Sequence, residues 1–154
     1  MAREHVRFGN GLGTQRVLGS ADTGGALGVV LHDLPSKQLG SPVHTHANED
    51  EYSYVLSGTF SGLIGDESVE AGPGEVVIKP RGIPHAFWNA GDEELRFVEI
   101  ISPGGFEDYF FDLAGPLNAG DPDGMEAVRA RYQLDLRLET VPELIERAGL
   151  APPL

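Results

Sequence analysis

Three histidines and one glutamate near the middle of the 154-residue chain form a set of groups that could bind a metal ion. His44 and His46 are separated by one residue, Glu51 follows after four more, and His85 ends the segment 74–85. Imidazole nitrogens and a carboxylate oxygen suit a divalent transition metal, and Fe, Mn, Ni, Co, Cu and Zn all accept such donors. The chain has no cysteine, which excludes thiolate ligands and a cysteine nucleophile. We therefore predict a site for one divalent transition metal, formed by these four residues.

Strand periodicity predicts that these groups can meet. Side chains at positions i and i+2 of a strand share a face, so His44 and His46 can reach a common point. In the strand predicted over 51–56, the same alternation places Glu51, Ser53 and Val55 on the inward face. The opposite, exposed face then consists of Tyr52, Tyr54 and Leu56.

The elements around this set are short apolar runs separated by turns. Glycine (21) and proline (11) lie between these runs, as is typical of a β protein with many tight turns. Helical spacing is evident only after the last strong strand. The pattern predicts an all-β fold, a small antiparallel barrel or double-sheet jelly roll with short C-terminal helices. We expect a single domain over 1–154, with a barrel at about 15–102 and a helical extension at about 106–150.

Several polar side chains outside the metal set are predicted to be solvated. His32 is followed closely by Pro35, which indicates an exposed strand end. Glu99 is a lone acid in the apolar run 95–101, and we favour an outward charge over an acid–base group in the cavity. Lys79 and Arg81 precede His85 and could attract an anionic substrate, but a surface role is favoured for both. The remaining members of this group are His5, Glu49 and Asp50.

The net charge of −13 makes nucleic acid and anionic membrane surfaces improbable partners, because both repel an acidic protein. No stretch approaches the roughly 18 apolar residues of a membrane-spanning helix. The N-terminal residues lack an apolar run of signal-peptide length. We therefore expect a cytoplasmic protein.

Two motifs of this chain resemble those of the cupin superfamily, particularly its small, single-domain, quercetin-dioxygenase-like members. The resemblance covers roughly 27–115 and departs from the family pattern at Gln38, where a glycine is expected and Gly40 stands two residues later. The first motif matches at His44, His46, Glu51 and Gly58. The second motif matches at Gly74, Pro80, Gly82, His85 and Asn89.

The resemblance implies a metal-dependent, dioxygenase-like oxidoreductase that acts on a small enol, phenol or diketone, with Glu51 as the catalytic base. It also leaves two alternatives, since cupins host many reactions. One is a non-redox isomerase, lyase or cyclase on the same site, and the other is a non-enzymatic binder of small molecules. A homodimer is the expected assembly. The predicted walls of the substrate pocket are Ser53, Val55, Phe60, Phe87 and Phe97.

Overall fold

The computed structural model describes residues 4–152 of the chain. The strands are β1 (His5–Arg7), β2 (Gly13–Leu18), β3 (Gly28–Leu34), β4 (Gln38–Leu39), β5 (Val43–His46), β6 (Asp50–Ser57), β7 (Phe60–Ile64), β8 (Glu67–Ala71), β9 (Val76–Lys79), β10 (His85–Asn89), β11 (Leu95–Ser102) and β12 (Leu134–Arg137). The helices are α1 (Asp108–Asn118), α2 (Pro122–Arg131) and α3 (Val141–Ala148). Within the described residues, no helix has the length and apolar character needed to cross a membrane.

Two antiparallel sheets face each other. The first has the strand order β1-β2-β3-β11-β6-β9, and the second has the order β12-β5-β10-β7-β8 with β4 beside β10. Neighbours such as β6 and β11, or β5 and β10, lie far apart in sequence, as in a jelly roll. The predicted double-sheet jelly roll with short C-terminal helices is confirmed.

The inward faces of both sheets supply the core. Burial alternates along β6, so that Glu51, Ser53 and Val55 are buried while Tyr54 and Leu56 are exposed. The sequence predicts this alternation of inward and outward side chains. The centre of the core is a group of three phenylalanine rings with centroids 5.3–5.5 Å apart, formed by Phe60, Phe87 and Phe97.

The C-terminal extension contains a strand that the sequence pattern does not indicate. Strand β12 pairs with β5, and Leu134 lies opposite His46 while Leu136 lies opposite His44. The chain therefore leaves the barrel, forms α1 and α2, and returns to the strand that holds two predicted metal ligands. Four residues are too short to give a clear alternating pattern, which explains why the strand was missed.

Glu107 ties the start of this extension to the barrel. Its side chain is fully buried, Oε1 accepts a hydrogen bond from the Ser20 backbone N–H at 2.6 Å, and Oε2 accepts one from the Gly105 N–H at 2.6 Å. A Cβ atom on Gly28 would lie 2.1 Å from Oε2 of Glu107, so only glycine leaves room for the carboxylate. The position of α1 thus depends on this buried group.

We predict that Glu107→Ala lowers the free energy of unfolding in urea. The change leaves two backbone N–H groups without their acceptor, at a cost of about 1–3 kcal/mol for each buried group. Glu126→Ala is the matched control, because Glu126 is an exposed glutamate whose ion pair with Arg129 contributes less than about 1 kcal/mol. Equal unfolding curves for the two variants would contradict the anchoring role.

Candidate metal centre

The four predicted ligands come together at one point between the sheets. His44 and His46 lie on β5, Glu51 on β6 and His85 at the start of β10, and all four are buried. One candidate ligand atom from each residue lies within 4.8 Å of the others. The ring centroids of the three histidines are 4.2–5.3 Å apart. The cluster could hold a metal ion.

The orientation of the histidines fits metal binding. Nδ1 of His44 lies 2.9 Å from the Pro42 carbonyl oxygen, and Nδ1 of His85 lies 3.1 Å from the Ile83 carbonyl oxygen. A carbonyl oxygen can only accept, so each Nδ1 carries the proton and each Nε2 has a free lone pair. Such outer hydrogen bonds fix the tautomer and orientation of histidines that bind metals.

His46 is oriented by a carboxylate. Its Nδ1 lies 3.5 Å from Oε2 of Glu49, which is itself buried, so the prediction that Glu49 is a solvated turn acid was wrong. The turn folds back far enough to place this acid behind the ring. Both ring nitrogens of His46 are buried and lack a well-aligned hydrogen bond to any residue in 4–152. Buried polar atoms of this kind need a partner, and a metal ion at Nε2 would provide one.

Glu51 lies between the other ligands. Its Oε1 is 2.9 Å from Nε2 of His46 and 3.2 Å from Nε2 of His85. Burial opposes ionisation of Glu51, but His46 and Lys79 outweigh it and hold its pKa well below the ordinary value. The carboxylate is therefore an ionised oxygen donor at neutral pH.

The pKa values of the histidines are shifted in opposite directions. Burial lowers the pKa of His46, yet Glu51 and Glu49 more than compensate and raise it to about 9. Burial, aided by the neighbouring histidines, lowers the pKa of His44 well below its usual value, and burial also lowers that of His85. Two of the three imidazoles are thus neutral donors at pH 7, and a metal ion must displace a proton from His46 to bind there.

The loop before β10 is fixed against the strands that hold the other ligands. Gly82 has a φ of +75° and donates its N–H to the His46 carbonyl oxygen at 2.8 Å. Arg81 pairs with Asp50 at the start of β6, with 3.0 Å between Nη2 and Oδ2, on the surface as predicted for Arg81. These contacts place His85 opposite His44 in the register of β5 and β10.

A cavity of about 680 Å³ lies above the four residues. This volume is in the range of small-molecule sites. Its floor consists of three of the four candidate ligands, His44, His46 and Glu51, with Lys79 and Glu99, while its walls are largely apolar and come mainly from the C-terminal extension. The wall residues include Phe87, Phe106, Phe110, Leu113, Leu134 and Leu136.

The five predicted wall residues occupy two layers. Phe87 lines the cavity. Val55, Phe60 and Phe97 belong to the fully buried core cluster behind the floor, and Ser53 is fully buried beside Glu99. Strand parity identifies inward residues but does not separate those that line a cavity from those packed beneath it. Most of the other apolar wall residues come after residue 105, and the sequence analysis did not assign them to the pocket.

A second polar cluster adjoins the candidate metal centre. Nζ of Lys79 lies 2.7 Å from Oε1 of Glu99 and 3.8 Å from Oε1 of Glu51, and Ser53 Oγ donates to Oε2 of Glu99 at 2.6 Å. Lys79 and Glu99 are both buried, so the predicted surface positions were wrong. An isolated charge is costly to bury, and the sequence does not show that the two residues compensate each other across three strands. Burial, opposed by Lys79, raises the pKa of Glu99 to about 7.

His32 also lines the cavity and is buried, so its predicted position at an exposed strand end was wrong. Strand β3 continues to Leu34, which places His32 inside the sheet. Its Nδ1 lies 2.9 Å from Thr14 Oγ1, and its ring contacts Phe97 and Phe110 with centroids 5.1 and 4.9 Å away. Burial, with help from Lys79, lowers its pKa to about 4, so the imidazole is neutral at physiological pH.

We predict that His46→Ala and Glu51→Ala each lower the metal content of the purified protein, measured by plasma emission spectroscopy. Each change removes one of the four donors and so lowers the affinity for the ion. His5→Ala is the matched control, because His5 is exposed at the edge strand β1. Undiminished metal in both variants would contradict the site.

Comparison with known proteins agrees with this architecture. Residues 30–101 match the Cupin domain family. Protein SchB of Streptomyces halstedii is 30% identical over 81 residues, a stretch that covers 53% of this chain and 56% of SchB. The chain therefore spans little more than half the length of this curated relative.

Solved structures show the same fold at low identity. A predicted oxalate decarboxylase of Thermotoga maritima is 22% identical, with a TM-score of 0.58 over 67% of this chain and 93% of its own. A sugar phosphate isomerase from a cupin superfamily, from Silicibacter pomeroyi, is 23% identical, with a TM-score of 0.55 over 66% of this chain and 71% of its own. Residues 30–101 of this chain are thus similar to the Cupin domain family, and the solved structures share the jelly-roll fold.

Proposed function

We propose that the protein is a metal-dependent, dioxygenase-like oxidoreductase that acts on an apolar enol, phenol or diketone. One observation carries this proposal: four buried donor groups converge at one point, and three of them line the floor of a cavity whose walls are largely apolar. Four protein ligands leave open positions on an octahedral ion for a substrate oxygen. The apolar walls select a substrate body that is itself apolar.

The residues around the cavity would have different roles. His44, His46, Glu51 and His85 would hold the ion, which supplies Lewis-acid and redox chemistry when bound. Glu51 is the proposed base, because its carboxylate lines the cavity next to the other candidate ligands. Phe106 lies against the ring of His46, with centroids 4.3 Å apart, and covers this part of the floor. A covered floor excludes water from reactive species.

A non-redox isomerase, lyase or cyclase is the second candidate function. The observation that favours it is the buried Lys79–Glu99 pair next to Glu51. Three ionisable groups within one cavity can move protons on a substrate without any oxidant. In both candidates the metal centre has the same four ligands.

Turnover with and without oxygen separates these functions. We expect the iron-, nickel- or manganese-loaded protein to convert a flavonol or a 1,3-diketone in air with matching oxygen uptake, and to be inactive under argon. His46→Ala should lose this turnover and His5→Ala should retain it. Equal turnover in air and argon would establish the non-redox alternative. Tight binding of these compounds without turnover under any metal would indicate a binding protein.

The assembly is proposed to be a homodimer formed through the outer face of β6 and β9. Tyr54 and Val76 lie opposite each other there, as do Tyr52 and Ile78. Val76 is 52% exposed and Ile78 is 57% exposed. A contiguous apolar patch on a sheet face, next to the edge strand β9, is typical of an interaction surface. A second copy presents the same apolar face and so matches it.

Light scattering tests the dimer. We expect the native protein to have twice the mass of one chain, and Ile78→Asp to have the mass of one chain, because a charge would be buried in the interface. Leu138→Asp is the control, since Leu138 is equally exposed at 58% but lies outside this face. It directly follows β12, which belongs to the other sheet. A native protein with the mass of one chain would contradict the proposal.

A further inference from the structure

Lys79 is one of the two lysines of the chain and lies inside the cavity. It is the last residue of β9, and its side chain is 4% exposed. The other lysine, Lys37, is on the surface with a side chain that is 46% exposed. Burial of a lysine is rare unless its charge has partners, so the position of Lys79 calls for a physical explanation.

The ammonium group of Lys79 is held on two sides. Glu99 lies 2.7 Å from Nζ on one side and Glu51 lies 3.8 Å away on the other. The second oxygen of Glu99 accepts a hydrogen bond from Ser53, so both oxygens of Glu99 are engaged. Glu99 is therefore a positioning residue that fixes the lysine at the cavity floor.

The lysine retains donor capacity after these contacts. An ammonium group has three N–H donors, and within residues 4–152 only Glu51 and Glu99 have carboxylate oxygens within 4.0 Å of Nζ. The 2.7 Å ion pair with Glu99 stabilises the protonated, cationic form of the lysine. A buried ion pair of this kind contributes little net stability compared with apolar residues of the same size. A contribution to folding stability alone therefore does not explain why Lys79 is buried.

The geometry of the ammonium group favours an anionic ligand at the floor. Only Glu99 is in close contact with Nζ, at 2.7 Å, whereas Glu51, at 3.8 Å, lies beyond hydrogen-bond distance and is itself a proposed metal ligand. Lys79 lines the cavity, so a bound ligand can reach its remaining N–H donors. A charge-assisted hydrogen bond to an anionic oxygen is stronger than one to a neutral acceptor. The ligand that fits therefore carries an anionic oxygen.

The walls define the rest of the ligand. Phe87, Phe106 and Phe110 present aromatic surfaces, and Leu134 and Leu136 add aliphatic ones. A body that contacts such walls is apolar and of drug-like size. The anionic group must enter at the floor, because the ammonium group lies there.

We propose that Lys79, positioned by Glu99 and Ser53, is a substrate-binding cation beside the metal centre, and that the cavity takes an apolar aromatic molecule bearing one anionic oxygen group, an enolate, phenolate or carboxylate. This inference rests on the proposed metal-dependent function and names the substrate class of that site. The anionic oxygen accepts a hydrogen bond from Nζ next to Glu51. The aromatic body occupies the space beneath α1 and β12.

A pair of probes that differ in charge tests this inference. The zinc-loaded protein is titrated calorimetrically with 2-naphthoate and with 2-naphthamide, which have the same ring system and nearly the same shape. We expect the native protein to bind the anion at least tenfold more tightly than the amide. Lys79→Met should lower the affinity for 2-naphthoate by about 10- to 100-fold, the effect of losing a charge-assisted hydrogen bond, and should leave the affinity for 2-naphthamide unchanged.

Three variants control the experiment. Lys37→Met removes the same charge at the surface and should leave both affinities unchanged. Glu99→Gln should lower the ratio of the two affinities while both probes still bind, which a general loss of structure would not do. If Lys79→Met is poorly folded because Glu99 loses its partner, the double variant Lys79→Met/Glu99→Gln removes both charges, and the same loss of preference is expected there.

The outcomes separate this inference from the proposed function. Emission spectroscopy before titration should show equal zinc in the native protein and in Lys79→Met, because Lys79 is not a ligand. If the native protein binds zinc but does not prefer 2-naphthoate over 2-naphthamide, the inference is overturned while the metal centre is still supported. The same holds if Lys79→Met retains the preference. A native protein that holds no zinc overturns the proposed function, and the inference with it.

Discussion

Burial of the Glu51 carboxylate is the constraint on which the rest of the structure depends. An ionised carboxylate in an apolar interior is unstable unless positive groups or hydrogen-bond donors surround it. The chain brings the protonated His46 to within 2.9 Å of it and Lys79 to within 3.8 Å. These two residues lie on β5 and β9, which belong to different sheets, so the jelly roll must close before the charge is compensated. A divalent ion at the same point would complete this compensation.

Much of this arrangement could be predicted from the sequence because it depends on local rules. Alternation along β5 and β6 determines that His44, His46 and Glu51 face inward, and the glycine and proline turns mark the ends of the strands. The jelly roll and the convergence of the four candidate ligands follow from these patterns. The oxygen acceptors behind two of the histidines also come from residues only two positions away in the chain.

What the sequence did not reveal depends on contacts between distant segments. Lys79 and Glu99 are buried only because β9 and β11 flank β6 from opposite sides and bring the two charges together. His32 is buried because Thr14, on β2, and the ring of Phe110, in α1, contact it. From the residue type alone, each charged group is expected to be exposed to water. The sequence does not show a partner that lies on another strand and allows burial. Charged groups that are buried against this expectation are often functional.

The cavity combines two parts of the chain with different roles. The segment that matches the Cupin domain family, 30–101, supplies the candidate ligands and the polar floor. The extension after it supplies most of the apolar wall, through the residues next to α1 and through β12. Because β12 pairs directly with β5, the wall is joined to the strand of His44 and His46 rather than loosely placed over it. We infer that the floor sets the kind of chemistry and the extension sets the shape of the ligand.

X-ray absorption at the metal edge of the zinc-loaded protein tests the central claim most directly. The account predicts three nitrogen neighbours with imidazole scattering and at least one oxygen neighbour, at about 2.0–2.2 Å from zinc. This pattern would show three histidines and a carboxylate on a single ion. A shell of oxygen atoms alone, as expected for zinc held by the many surface acids, would contradict the account.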